Sequence, residues 1–176
     1  MLEKRFYSFS VVYYEITYTR EHFKGEIDLI IETLSWGILE VNEEQLYHFS
    51  KGIPGFDDET DFALLSMDDS SFWYLQSVKE KSLSFLLGDP FLFYPTYEFE
   101  LPNDEVEELE IESNMLIRCI ITLKDQVEQS TINLLGPIVF NPDTKMGKQI
   151  ILHRSSYLTK HNLLQGYTTI KGKGDE

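Results

Sequence analysis

With 176 residues and a net charge of −15, this chain is long enough for one domain with its own hydrophobic core, and too acidic to favour direct contact with nucleic acid. A hydrophobic fraction of 42% fits a globular protein, and two Trp, ten Tyr and 12 Phe favour β structure over a helical bundle. There is no apolar run approaching the roughly 18 residues of a membrane helix, and the single cysteine, Cys119, excludes an internal disulfide.

Along the chain, residues 1–26 stand apart from the rest. Lys4 and Arg5 precede FYSFSVVYYEITYT, a stretch with strand-like residues but no clean alternation and no small-residue cleavage site of a signal peptide, so a cytoplasmic protein is expected. This segment reads equally as an added edge strand, a loosely ordered arm or an early start codon. A mainly β domain follows at 27–162, expected as a small closed barrel or roll of short strands with one or two short helices, and residues 163–176 form a tail. Strands are predicted at Ile27–Leu34 and Gly37–Val41, around a bend at Trp36-Gly37. Asn42 is placed to cap one helical turn running through Gln45–His48. Lys51–Gly55 is a turn, in which Pro54 fixes φ while Gly52 and Gly55 permit conformations that a Cβ disfavours.

Further strands are predicted at Phe62–Met67, Phe72–Val78 and Ser84–Leu87. A helix is expected at Glu105–Leu109, capped by Asp104 with Glu107 reaching back. The clearest strand is Met115–Leu123: its odd positions, Met115, Ile117, Cys119, Ile121 and Leu123, are apolar, with Arg118 and Thr122 on the opposite face. Thr131–Leu135, Ile138–Phe140 and Gln149–Leu152 complete the strands, and Gly136-Pro137 marks a bulge or an edge between them.

Charge is distributed unevenly. Residues 27–162 hold 24 acids and nine bases, and Glu98–Glu112 carries eight acids with no Lys or Arg. From Thr144 to Gly174 there are six bases and no acid, a run suited either to neutralising the acidic face internally or to touching a partner. An acidic body of this kind attracts basic partners, though net charge alone also serves solubility.

Catalytic signatures are missing from the sequence. His22, His48, His153 and His161 lie outside metal-motif spacing of one another and of Cys119, and no GxSxG, P-loop or GxGxxG pattern occurs. The expectation is a protein with no catalytic residues, cofactor or metal. Most of Phe91, Phe93, Tyr94, Tyr97 and Phe99 are expected in the core. Phe56, at a glycine-flanked turn, is either an outward anchor or a core residue.

The segments LYHFSKGIPGF (46–56), DPFLFYPTYEF (89–99) and NLLGPIVFN (133–141), joined by Trp36-Gly37, Leu75-Gln76-Ser77 and Gly147-Lys148-Gln149, together resemble the flagellar assembly factor (FliW) family. The likeness spans about residues 28–161; Ser50 stands where the family usually has proline, and Gly136 where it usually has alanine. The resemblance implies a monomeric, β-rich cytoplasmic factor with two partners. These are flagellin and CsrA, the small RNA-binding regulator that represses flagellin translation. When secretion empties the flagellin pool, the freed factor captures the regulator and translation resumes. On this reading the candidate partner-binding residues are Phe56, Glu98, Glu100, Asp104, Glu105, Glu107 and Glu108, with acidic groups raising the cost of RNA binding beside the regulator's basic surface. The competing reading is a ligand-binding β-barrel whose aromatics line an apolar small-molecule pocket.

Overall fold

The computed structural model describes residues 29–66, 71–153 and 155–165. The N-terminal segment 1–26 and, of the tail at 163–176, residues 166–176 lie outside the described residues. Strands β1 (Leu29–Thr33) and β2 (Gly37–Val41) form a hairpin, whose turn is tied by the Trp36 N–H donating to Thr33 Oγ1 at 3.0 Å. Next come β3 (Leu46–His48), β4 (Asp61–Ser66), β5 (Phe72–Ser77) and β6 (Ser84–Gly88), followed by the short helices α1 (Pro90–Phe93) and α2 (Asn103–Glu108). Then follow β7 (Leu116–Thr122), β8 (Thr131–Ile132), β9 (Ile138–Asn141), β10 (Met146–Gln149) and β11 (His161–Asn162).

Seven strands close on themselves in the order β7-β6-β5-β4-β3-β10-β9, with β9 returning to β7. Every pairing in the ring is antiparallel except β3–β10, which touch in parallel at His48 and Met146. β8 and β11 extend the sheet outward from β7. A closed ring leaves no long edge for uncontrolled pairing.

Cross-strand partners point to the same face. Leu75 lies opposite Leu64 and Phe85, Leu87 opposite Trp73 and Ile120, and Leu116 opposite Phe140. Together with Tyr47, Phe49 and Phe62 they fill the interior of the ring, where Phe49 meets Phe62 and Phe140 edge-on. A filled interior does not match the hollow pocket required by the competing ligand-binding reading.

The outer face carries two further cores. Cys119, Ile121 and Val139 pack with Phe93, Tyr97, Leu109 and Ile132 beneath the helices and connections. The β1–β2 hairpin lays Leu29, Ile31 and Val41 over Ala63 and Val78. Strand β7 is therefore covered on both sides. The odd positions Ile117, Cys119 and Ile121 are buried as expected, whereas Met115 falls before the strand and is 52% exposed. Arg118, on the opposite face, points into the ring and is only 8% exposed. Its guanidinium stacks on Trp73 at 3.7 Å, donates to the Ile117 carbonyl at 2.7 Å and lies 3.7 Å from the Asp89 carboxylate. Burial lowers its pKa, opposed by the Asp89 charge.

Local chemistry explains the other departures. Asn42 and Gln45 form a reciprocal capping box, but it closes a 3-10 turn at Glu43–Gln45, and Leu46–His48 go into β3 because they pair with β4. α2 begins two residues earlier than expected, at Asn103, with Pro102 at its N-cap; Asp104 is inside the helix and makes no cap bond. The predicted strand at Gln149–Leu152 is displaced: β10 ends at Gln149. Its register nevertheless continues, because the Ile150 N–H donates to the Pro137 carbonyl at 2.8 Å and the Leu152 N–H to the Leu135 carbonyl at 2.9 Å. Pro137 has no N–H to return, so the ladder there is one-sided. Neither α1 nor β11 was anticipated. α1 is a single turn started by Asp89, whose carboxylate accepts from the Phe91 N–H at 2.9 Å, with Pro90 at the first helical position.

Candidate functional site

The chain between α1 and α2 opens the most acidic stretch of the sequence, Glu98–Glu112, with Glu98 and Glu100 on the outside of the barrel. It is anchored by Tyr97, which is buried and donates from its hydroxyl to the Leu134 carbonyl at 2.9 Å. Tyr157 packs against Tyr97 with ring centroids 4.7 Å apart, and its hydroxyl oxygen accepts from the Glu98 N–H at 3.1 Å. Between this stretch and the continuation of β10 lies a groove of about 740 Å³, walled by Glu98–Asn103 on one side and by Ile150–His153 with Ser155, Ser156 and Tyr157 on the other. Ile151 stands 45% exposed beside it.

The acidic residues singled out in the sequence divide into two groups. Glu98 and Glu100 are exposed on the groove wall, and Asp104 and Glu107 are exposed on α2. Glu105 and Glu108 instead face the barrel, where both carboxylates accept from Lys148 Nζ, Glu108 at 2.7 Å. Lys51 adds a second bond to Glu108 at 3.0 Å. The bonds from Lys148 and Lys51 hold the Glu108 carboxyl below its ordinary range. Burial pulls the Lys148 ammonium down, but its bonds to Glu105 and Glu108 outweigh that and leave it raised. These two acids fasten α2 to β10. The basic segment after Thr144 thus neutralises part of the acidic face internally, and Lys145 donates to the Glu44 carbonyl at 3.1 Å.

Phe56 lies away from the groove. Gly52 and Gly55 adopt φ of 65° and 91°, and the turn returns the chain so that the Phe56 N–H donates to the Ile53 carbonyl at 2.7 Å. Its half-buried ring meets Phe85 edge-on with centroids 5.4 Å apart, closing over the interior core. Among the aromatics of 91–99, Phe93 and Tyr97 are buried, Tyr94 and Phe99 half-buried, and Phe91 exposed.

Ordinary reactive groups are subdued in these surroundings. Burial pushes the Cys119 thiol up to about 12. The pair His48 Nδ1 and Asp61 Oδ1, 2.9 Å apart, sits in the open on β3 and β4, where the Thr60 hydroxyl also donates to Asp61 Oδ2 at 3.0 Å. Among the described residues, no three His, Cys, Asp or Glu side chains converge to hold a metal, and no helix is long and apolar enough to cross a membrane.

Fold and surface define a small closed β-barrel with a packed interior and an acidic grooved exterior, a scaffold that presents surface for protein contacts. The FliW protein family model matches residues 30–163. A flagellar assembly factor FliW of Geobacillus kaustophilus (strain HTA426) is 42% identical over 135 residues, covering 76% of this chain and 94% of the relative. One of Bacillus subtilis (strain 168) is 42% identical over 136 residues, covering 76% and 95%. A crystal structure of the flagellar assembly factor FliW superposes with a TM-score of 0.72 at 39% identity, over 76% of this chain and 96% of that one. The chain belongs to the FliW family.

Proposed function

We propose that this chain is a cytoplasmic flagellar assembly factor that binds flagellin and sequesters a CsrA-type RNA-binding repressor, relieving repression of flagellin synthesis. It acts by holding other proteins, as a monomer when free, and needs neither catalysis nor cofactor. The observation that carries this reading is the family match across 134 residues, 30–163, on a barrel whose interior is filled. Negative charge on the exposed surface supports it physically. Glu98, Glu100, Asp104 and Glu107, exposed and without an ion pair among the described residues, steer a basic partner and raise the cost of holding RNA phosphates beside it. Glu105 and Glu108 contribute by fixing the helix that displays two of those carboxylates.

Co-purification from a flagellated host tests the proposal. The tagged chain should retain a CsrA-type regulator when flagellin is scarce and release it when purified flagellin is added in excess. Retention of neither partner would overturn it.

A further inference from the structure

We propose that the groove between 98–102 and 150–153 takes an extended segment of a partner protein by strand addition, and that the segment alternates apolar with cationic residues. The inference rests on the reading that this chain works by holding proteins, and it assigns a surface and a mode of binding.

The backbone supplies the first argument. Ile150 and Leu152 spend their N–H groups on the carbonyls of Pro137 and Leu135, on the β9 side. In an extended chain successive amides point to opposite sides, so that of Ile151 is directed away from β9. Among the described residues it has no hydrogen-bond partner. The facing wall is also unpaired: the N–H groups of Phe99, Glu100 and Leu101 have no partner among the described residues. In a barrel that otherwise pairs its strands, this is an edge with open donors and acceptors, the feature that strand-adding recognition uses.

Side chains define the occupant. Glu98 and Glu100 are exposed on the groove and form no ion pair among the described residues, in contrast to Glu105 and Glu108. Phe99 and Leu101, half-buried and alternating with Glu98 and Glu100, provide the apolar surface beside buried Ile150 and Leu152. An alternating Lys/Arg and apolar strand would set cations against Glu98 and Glu100 and its other face against Phe99 and Leu101.

The test uses the full chain and a short synthetic peptide alternating Lys and Val, with a second peptide N-methylated along one edge so that it keeps charge and bulk but cannot pair. The first peptide should slow amide exchange at Ile151 and at the facing amides of 99–101, and N-methylation should weaken binding on the order of tenfold, the effect of losing main-chain hydrogen bonds. Ile151→Pro removes an N–H that has no partner among the described residues, so it should weaken peptide binding similarly without lowering Tm. The N-methyl comparison on the wild-type chain stands even if that variant fails to fold. Equal binding of both peptides, protection elsewhere, or protection of these amides by self-association without peptide overturns the proposal. Retention of flagellin and regulator by Ile151→Pro at wild-type strength would sink the groove while sparing the proposed function. Peptide pairing by a chain that retains neither protein would do the reverse.

Discussion

Gly52 and Gly55 occupy the same turn and both have positive φ, yet they are not equivalent. A Cβ on Gly52 would stand 2.4 Å from the Phe56 carbonyl oxygen and 2.8 Å from the Asp57 Cα, both backbone atoms that cannot swing aside. A Cβ on Gly55 meets nothing within 4 Å. Gly55→Ala should therefore cost about 1 kcal/mol, the penalty for a left-handed side chain. Gly52→Ala should cost about 3 kcal/mol, since backbone displacement adds to that penalty. Urea denaturation of the two variants measures the difference; equal losses would mean that conformation alone sets the need for glycine. Cys119 gives a second residue-level test. Buried beneath the connections with its thiol pushed up to about 12, it should react with a disulfide reagent at pH 8 only as fast as the protein opens. Labelling of the native protein at the rate of a free thiol would contradict this packing.

At the scale of elements, α2 is too short to be stable alone, and its position depends on what holds it down. Leu109, at its C-cap, provides the apolar contact within the outer core, and Lys148 supplies the polar clamp. Lys148→Met should destabilise the fold by about 1 kcal/mol at pH 7, an estimate kept low because the pairs are partly open to water. Its pH dependence follows from Glu108, whose carboxyl is held below its free value in the fold. That stabilisation is complete above a pH of about 4.3, the free value, and disappears as pH falls through the folded value. Wild type and Lys148→Met should therefore converge in urea midpoint in acid. A gap that persists at pH 3 would show that Lys148 acts through its hydrocarbon stem.

For the whole molecule, the division of the acids determines which charges can steer a partner. Reversing Glu98, Glu100, Asp104 and Glu107 to Lys leaves the α2 clamp intact, whereas reversing Glu105 or Glu108 would break it. The quadruple variant should associate with a CsrA-type regulator about tenfold more slowly at low salt, with a flatter salt dependence, while its dissociation rate changes less. Stopped-flow association across a salt series reads this directly. An unchanged slope would remove these carboxylates from steering.

Much of the barrel was legible because it depends on local chemistry. Alternation marked β7, glycine and proline marked the turn at 52–55, and the acids of 98–112 marked an outer surface. Where reading failed, neighbours distant in sequence had the deciding vote. Leu46–His48 has the composition of a helical turn's end but pairs with β4, and Arg118 looks like a solvent-facing residue until ring closure turns its side of β7 inward over Trp73. No residue type announces that Glu105 and Glu108 are bound while Glu98 and Glu100 form no ion pair among the described residues, because the difference is set by Lys148, some 40 residues away. Sequence alone determined the β class, the family and the negative charge, since these follow from composition and short-range order. Only the tertiary structure decided which strand faces are inside, which carboxylates remain available and where a backbone edge stays open, because burial and pairing are properties of segments brought together by folding.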